Sequence, residues 1–530
     1  MKKRMMLLAM LVLVAACGGG GTDNQSTPTT PAIPSVPGDG GSTANDWLTF
    51  SPSMLEATSL EGDSVSIAVE ARSSKTISEP INIRVEAPAE FQPDIQLETL
   101  TPTNYRATLR VAPTAKAGLH TGYLKVYLCL DSPLVCNKPY PGSPWYVPYQ
   151  LKVVSTAPHL TPLSRLEGAS SWNNAYGNAG FTGYVPTSIT LDPTKITLRW
   201  KTPAGYSTLV AEGGFVFLQD KQSNPANYFL RAIREENGTL AWEQEISPWT
   251  SNLVSAQGRL FMLQSDLQRT LQIYDIATGA SQATNLDFGS YKHLTADTNA
   301  IYIRNPLQRW DILTKISRQI TSAHESISDN HLAIHADHLY TYDINGLTRY
   351  RIDNGTVDYL APHEAPIYER FDPYTVVVDG ADRIFTTYSA GGSVLSRYSA
   401  TDRKRLWTTR ATGEPRSLPA VAPDTLYIVT GNAPSLQARS TDSGALLWSV
   451  TLPDAILARW NYTTDYQVVI AGNLLFVSSI GMEGKATYAI DRNTHQVAWS
   501  IPATGHLAIS ENGILYIARP NSALVAVNLR

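Results

Sequence analysis

The sequence has few cysteines, few charged residues, and no long apolar run beyond its first residues. It holds 3 cysteines in 530 residues, and Asp, Glu, Lys and Arg together make up 17%. After residue 17 no apolar stretch approaches the roughly 20 residues that a membrane helix needs, which argues against a helical membrane protein. A hydrophobic share of 43% is typical of a globular chain. The formal net charge of −4 makes nucleic acid an unexpected partner.

The N-terminus has the pattern of a bacterial lipoprotein signal. Residues 1–17 (MKKRMMLLAMLVLVAAC) combine a basic start, a short apolar run and small residues before Cys17. This pattern predicts cleavage before Cys17 and lipidation of its thiol, with the lipid as the only membrane attachment. An ordinary signal peptide with an incidental cysteine is the alternative. Gly18 at the next position resembles lipoproteins of the outer membrane, on either its periplasmic face or the cell surface.

Two segments of different composition follow the signal. Residues 18–45 are rich in Gly, Ser, Thr and Pro and predict a disordered tether. Residues 46–155 contain seven short β-forming runs separated by turn residues, which predicts an Ig-like β-sandwich. The runs are Leu48–Phe50, Val65–Glu70, Ile81–Val85, Ile95–Glu98, Tyr105–Val111, Gly122–Cys129 and Tyr146–Val154.

The two remaining cysteines lie close together in the chain. Cys129 and Cys136 are seven residues apart and flank a short loop. In an oxidising compartment this spacing predicts a disulfide that constrains the loop. A redox or metal role is the weaker alternative, because no second cysteine pair or nearby histidine completes a site.

The remainder of the chain, residues 160–530, is repetitive and predicts a β-propeller. An aromatic residue recurs in a short apolar strand at spacings of 44, 41, 38, 45, 42, 49 and 40 residues. A period near 43 residues with four strands per unit is typical of a propeller, and the eight repeats predict eight blades. The whole chain is therefore expected to be all-β, an Ig-like β-sandwich followed by an eight-bladed β-propeller. The recurring aromatics are Phe217, Phe261, Tyr302, Tyr340, Phe385, Tyr427, Phe476 and Tyr516.

The last repeat is one strand short. It stops at Arg530, after its third strand, and so lacks an outer strand. Residues 196–202 have the outer-strand pattern, including Trp200, with no repeat before them. Because an open edge is unfavourable, we expect this segment to pair with the last repeat and close the ring.

The repeats resemble a known family. The strings at 216–242 and 426–448, each ending in an Asn/Ser-Gly turn and a tryptophan, are similar to the PQQ-like propeller repeat, and residues 172–186 resemble its lead-in. Among lipid-anchored members of this family, the domain organisation of the chain resembles that of the BamB family, which are propeller lipoproteins of the outer-membrane β-barrel assembly complex. The Ig-like segment departs from that plan. The resemblance implies a fold far more than an activity.

An enzymatic function finds little support in the residues. A quinoprotein dehydrogenase is the enzyme that the resemblance suggests, but no cysteine follows Cys136 and no acidic cluster marks the blade mouths. His331, His335 and His338 invite a metal site, but turn or surface histidines explain them better. We therefore predict no catalytic residue, no cofactor and no metal ion.

Binding is the better-supported function. We predict a monomeric scaffold for protein partners of the cell envelope, with outer-membrane protein assembly as one such task and a glycan-binding surface protein as the alternative. Exposed Trp, Tyr and Arg on loops are favoured interface anchors. The tryptophans among these residues could instead fill gaps between blades. The predicted partner-binding residues lie in the longest connections between repeats: Trp249, Tyr368, Arg370, Arg459, Trp460, Asn461 and Tyr462.

Overall fold

The computed structural model describes most of the chain from Trp47 to Arg530. The described ranges are 47–204, 209–221, 228–264, 269–286, 288, 293–304, 306–321, 332–343, 346–362, 375–379, 383–389, 392–431, 433–453, 465–480, 485–518 and 522–530. Apart from a 3₁₀ helix at Pro193–Lys195, the regular elements in these ranges are β-strands. No helix within them is long and apolar enough to cross a membrane.

The contacts divide the chain into two compact units. The first comprises residues up to Ala57 together with Ser64–Lys152, and the second comprises Thr58–Asp63 and Val153–Arg530. Each unit is described separately below.

The first unit is built on two four-stranded sheets. Their strand orders are β1-β3-β6-β5 and β2-β8-β7-β4. Seven of the eight strands overlap the seven predicted runs, whereas β2 was not predicted. The bounds are β1 Leu48–Ser51, β2 Leu55–Leu60, β3 Ser66–Ser73, β4 Asn82–Glu86, β5 Gln96–Thr101, β6 Asn104–Arg110, β7 Gly118–Cys129 and β8 Trp145–Val154.

The two sheets enclose a common apolar core. Leu124, Val126 and Leu128 alternate along β7 and are buried, as the period-two pattern predicts. They line a cavity of about 40 Å³ together with residues of the other sheet, including Leu48 and Val69. The sheets therefore face each other across this core. The predicted disulfide between Cys129 and Cys136 is present at the end of β7.

The second unit repeats a four-stranded antiparallel sheet along the sequence. Eight such sheets, here called repeat sheets 1 to 8, are found in the described residues. Sheet 1 consists of β11 Val210–Glu212, β12 Phe215–Lys221, β13 Tyr228–Arg234 and β14 Leu240–Ile246, and sheet 2 consists of β15 Val254–Ala256, β16 Arg259–Gln264, β17 Thr270–Asp275 and β18 Ser281–Asn285. Sheet 3 consists of β19 Leu294–Ala296, β20 Ala300–Ile303, β21 Leu307–Asp311 and β22 Ser317–Thr321. Sheet 4 consists of β23 Ala333–His335, β24 His338–Asp343, β25 Gly346–Arg351 and β26 Val357–Ala361.

Sheets 5 to 7 repeat this order, and sheet 8 combines both ends of the unit. In sheet 7 the short β9 adds a parallel strand beside β35. Sheet 5 consists of β27 Thr375–Asp379, β28 Arg383–Ser389, β29 Ser393–Ser399 and β30 Lys404–Ala411, and sheet 6 consists of β31 Ala420–Val421, β32 Thr425–Thr430, β33 Ser435–Ser440 and β34 Leu446–Thr451. Sheet 7 consists of β35 Tyr466–Ala471, β36 Leu474–Ser479, β37 Thr487–Asp491 and β38 Val497–Ile501, beside β9 Tyr184–Val185. Sheet 8 consists of β39 His506–Ile509, β40 Ile514–Ala518 and β41 Ser522–Asn528, together with β10 Thr197–Ala204.

The recurring aromatics occupy one equivalent position. Each lies on the second strand of its sheet and is at most 3% exposed, which confirms that the period marks core positions. Apolar faces of successive sheets pack on one another around them. Burial of side chains of this size supplies the main driving force for stacking the sheets.

The closing strand lies where the sequence predicts it. β10 pairs antiparallel with β41, with Thr197 opposite Asn528 and Ala204 opposite Ser522. Sheet 8 therefore has the order β10-β41-β40-β39, and the outer edge of β41 is covered. The prediction for residues 196–202 is confirmed.

Arg199 on this strand joins the first and last repeat sheets. Its guanidinium is 1% exposed and donates to the carbonyl of Glu235 at 2.9 Å and to Oδ1 of Asn528 at 2.9 Å. Burial raises the pKa of the Glu235 carboxyl, although hydrogen bonds from Ser510 and Asn512 oppose that shift. The contact between the first and last repeat sheets is thus polar, and its buried groups are hydrogen-bonded to one another, which a buried polar network requires for stability.

Tryptophans on outer strands dock on a turn of the following sheet. Nε1 of Trp242 donates to the carbonyl of Ile276 at 2.9 Å. The same ring covers Gly279, where an added Cβ would lie 2.7 Å from a ring carbon. The turn needs this residue at φ +71°, a left-handed conformation that glycine adopts without strain. The other examples are Trp200 on Glu235 and Gly238, and Trp407 on Thr441 and Gly444.

This docking gives a testable prediction. Gly279→Ala and Gly258→Ala both place alanine near φ +72°, but nothing lies within 4 Å of a Cβ at Gly258. Both should cost about 1–2 kcal/mol for the backbone conformation. Gly279→Ala should cost a further ~1–3 kcal/mol, because the indole of Trp242 must move. Denaturant titration of the purified variants measures the difference, and equal losses would contradict the docking role.

Candidate functional site

Residues 166–185, here called the inner segment, contact every repeat sheet in turn. In seven sheets the contact is with the first strand, and in sheet 8 it is with the turn after β39. The first strands are therefore the innermost ones. The contacts are Leu166 with Glu511, Trp172 with Ala211, Asn173 with Ser255, Asn174 with Ala296, Ala179 with Ile334, Gly180 with Val378, Thr182 with Val421 and Gly183 with Ile470.

Local chemistry explains how one segment follows all these strands. The side-chain amide of Asn174 is buried. It accepts from the N–H of Ala296 at 2.9 Å and donates to the carbonyl of Ala296 at 3.0 Å, so it pairs with this backbone as a neighbouring strand would. Gly180 brings the backbone so close to Val378 that a Cβ would lie 2.1 Å from its carbonyl oxygen. Hydrogen bonds to backbone groups thus hold the inner segment in place, and glycine, which has no side chain, lets it approach the strands closely.

The inner segment fills the space between the innermost strands. Trp172 and Phe181 are each 2% exposed, and Asn174 is fully buried. Burial also raises the pKa of the Tyr176 hydroxyl, which keeps it protonated.

A polar cavity of about 670 Å³ lies beside the inner segment. It is bordered by the first turns of sheets 1 to 4, with Glu212, Asp297 and Glu511 among its acidic residues. Oε1 of Glu212 accepts from the N–H of Gly258 at 3.1 Å, and Oδ2 of Asp297 accepts from the Tyr302 hydroxyl at 2.9 Å. These carboxylates therefore stabilise neighbouring turns and a buried tyrosine.

One histidine of repeat sheet 4 contacts a carboxylate. His338 lies opposite His335 in the β23–β24 pair, and its Nε2 is 3.0 Å from Oδ2 of Asp358. Burial raises the pKa of the Asp358 carboxyl, but hydrogen bonds from Arg349 and His338 lower it by more, so the net shift is downward. His331 lies outside the described residues. Within the described ranges, no group of three or more His, Cys, Asp or Glu side chains is arranged to hold a metal ion.

Comparison with known proteins identifies the repeats. Residues 390–530 match a PQQ-type family model described as outer membrane protein assembly factor BamB. The second unit has the β-propeller fold, and its matched repeats are PQQ-like and similar to BamB. No curated protein sequence matches the chain. The resemblance at 426–448 lies within the matched residues and is confirmed.

Three solved structures are similar to this chain at low identity. A quinohemoprotein alcohol dehydrogenase from Comamonas testosteroni has 11% identity and a TM-score of 0.50 over 68% of this chain and 81% of its own. BamB from Moraxella catarrhalis has 12% identity and a TM-score of 0.46 over 63% and 97%. Apo AztD from Citrobacter koseri has 14% identity and a TM-score of 0.40 over 56% and 84%. At such identity the likeness concerns the fold alone.

Trp249 is the predicted partner-binding residue that the structure describes. It lies between β14 and β15 of the PQQ-like propeller, and its side chain is 68% exposed. A tryptophan that filled a gap between sheets would be buried. The remaining predicted residues and the lipidation site lie outside the described residues: Tyr368, Arg370, Arg459, Trp460, Asn461, Tyr462 and Cys17.

The described strands relate the predicted loops to one another. Trp249, the stretch 363–374 and the stretch 454–464 all fall in connections from the last strand of one sheet to the first strand of the next. These connections leave their sheets at the same end, opposite the first turns that border the polar cavity.

Sequence reasoning did not find the role of the inner segment. Residues 172–186 stand out only as a lead-in resembling that of PQQ-like domains. The available signal was local: asparagines and glycines alternate with aromatics over 172–183, outside the 43-residue period. Such a composition suits a backbone that must approach other strands closely.

Proposed function

We propose that this chain is a lipid-anchored outer-membrane scaffold that binds protein partners of the cell envelope and has no catalytic activity. It would comprise a signal peptide (1–17), a tether (18–45), an Ig-like module (46–155) and a closed eight-bladed PQQ-like propeller (160–530). The similarity to BamB supports an envelope location, and Cys17 supplies the lipid site. Mass spectrometry of the native protein tests the anchor, since a lipid on Cys17 adds a defined mass.

The observation that carries the binding function is the exposure of Trp249. Its side chain is 68% exposed, whereas Trp172 and Trp200 are each 2% exposed. An exposed indole contributes nothing to the core and is a favoured anchor of protein interfaces. The inner segment at the centre of the propeller supports the same assignment, because a partner surface is then expected on the connections between sheets.

Eight repeat sheets support the blade count. Each of them contacts the inner segment, and β10 joins the last sheet to the start of the unit. For residues 46–155, two facing four-stranded sheets support an Ig-like module. Both assignments concern the framework that presents the loops, and neither supplies chemistry.

Replacing Trp249 tests the partner surface. Trp249→Ala should weaken a complex crosslinked in native membranes by about thirtyfold, equivalent to ~2 kcal/mol, because one aromatic anchor is lost. The melting temperature should change by less than about 2 °C, as for other surface substitutions. Quantitative mass spectrometry of the crosslinked material measures the first, and calorimetry the second.

Leu313→Ala is the matched control, since Leu313 is 86% exposed on a turn of sheet 3. The partner surface would be wrong if Trp249→Ala left the crosslinked yield unchanged or lowered it no more than Leu313→Ala does. Trp460→Ala extends the test to a loop outside the described residues. Absorbance and metal analysis of the purified protein address the quinoprotein alternative, since that enzyme requires a bound cofactor.

A further inference from the structure

The disulfide loop of the first unit carries an exposed apolar tip. Leu134 is 86% exposed, Val135 is 57% exposed and Leu130 is 42% exposed. The bond between Cys129 and Cys136 closes the loop around them. We call Leu130, Leu134 and Val135 the apolar tip. A disulfide that constrains such a loop in the exposed state indicates a use for its apolar surface.

The backbone of the tip is already hydrogen-bonded within the protein. The N–H of Leu134 donates to Oγ of Ser132 at 3.3 Å, and its carbonyl accepts from Nη1 of Arg84 at 3.1 Å. The N–H groups of Val135 and Cys136 donate to the carbonyl of Ser132 at 3.3 and 2.8 Å. These groups are therefore already paired when the tip leaves water, which lowers the cost of moving it into an apolar medium.

The chain enters the first unit beside this loop. Trp47, the first described residue, packs edge-on against Trp145 at 5.3 Å and against Tyr140 at 6.0 Å between ring centroids. Tyr140 is in turn bonded to the end of β7, where its N–H donates to the carbonyl of Leu128 at 2.7 Å. Because β7 ends and β8 begins here, the tether and the apolar tip emerge at the same end of the sheets.

We propose that the apolar tip docks on the phospholipid bilayer, with Leu134 and Val135 inserted at the depth of the headgroups and upper acyl chains. The inference rests on the lipid anchor at Cys17 in the proposed function. A flexible coil of the tether's predicted length would span ~30 Å on average and towards ~85 Å if extended, so the anchor would hold the tip at a high effective concentration near the membrane. A second weak contact beside a lipid makes attachment stable and restricts the orientation of the module.

Membrane binding without the lipid isolates the contribution of the tip. The full chain with Cys17→Ser is incubated with vesicles of phosphatidylethanolamine and phosphatidylglycerol, and the bound fraction is measured by flotation. Adding Leu134→Asp should lower the partition coefficient about tenfold, because an apolar side chain is replaced by a charge at the membrane surface. Adding Leu313→Asp should leave it unchanged, although Leu313 is also 86% exposed.

A second measurement reports depth in the lipidated protein. Leu134→Cys and Leu313→Cys each add one free thiol for an environment-sensitive fluorophore. In reconstituted vesicles the label at position 134 should shift to the blue and be quenched by lipids brominated in the acyl chains, whereas the label at 313 should not. Equal emission at the two positions, or equal vesicle binding of the two Asp variants, would overturn the proposal and favour a protein pocket as the partner of the tip. Neither measurement depends on the Trp249 surface.

Discussion

Deleting residues 196–202 is expected to abolish cooperative unfolding of the second unit. The deletion removes most of β10 and uncovers the edge of β41, whose Leu524, Val525 and Val527 are at most 1% exposed. Loss of Trp200 alone costs about 3–5 kcal/mol, a large share of the ~5–15 kcal/mol that stabilises a typical domain. An uncovered edge strand also promotes aggregation.

Calorimetry and size-exclusion chromatography measure this outcome. The transition of the first unit should persist, because its two sheets contain no residue from the deleted segment. A deletion of equal length within residues 18–45 serves as the control and should leave both transitions in place. A deleted protein that melts like the parent would show that β10 is not needed to close sheet 8.

Trp172→Ala should cost about 3–5 kcal/mol of unfolding free energy, the second largest effect that we expect. Trp172 is 2% exposed, exchanges two backbone hydrogen bonds of 2.9 Å with Ala211, and packs over Gly177. Removing its ring leaves a void at the centre of the second unit, where neighbouring strands cannot collapse inward because the inner segment is bonded to each of them.

Trp172→Phe provides the matched comparison. Among the described residues the indole Nε1 has no hydrogen-bond partner, so phenylalanine removes an unpaired buried donor while keeping most of the packing. We expect it to cost less than half as much as alanine in denaturant titrations. Similar losses for the two variants would indicate that the indole nitrogen, and not the packing of the ring, is what the site requires.

The part of the fold that side-chain burial controls was predictable from the sequence. The eight recurring aromatics and the closing segment were found because each repeat must bury one face against its neighbours. In contrast, β2 was missed: Leu55 and Leu60 are both buried but are an odd number of residues apart, so the strand shows no period-two pattern. One sheet partner of that strand, β8, is remote in the sequence and decides its conformation.

The candidate site was less predictable than the fold. The path of the inner segment depends on backbone hydrogen bonds and on Gly180, and neither leaves a hydrophobic pattern. His495 illustrates the same difficulty: it adopts φ 59° in a turn position that four other repeats fill with glycine, and its ring stacks on Trp448 at 4.4 Å. The sequence left the exposure of Trp249 open, because a loop tryptophan can also fill a gap between sheets.

The pairing of Thr197 with Asn528 has a consequence for how the protein folds. These residues are separated by 331 positions, so the second unit cannot complete its last sheet until nearly the whole chain has been made. Contacts of such long range form slowly, because the chain must first close a large loop at an entropic cost. During that interval the uncovered strands are open to aggregation and to proteases. Rapid refolding from denaturant is therefore not expected, and chaperones that hold unfolded chains should increase the yield of folded protein.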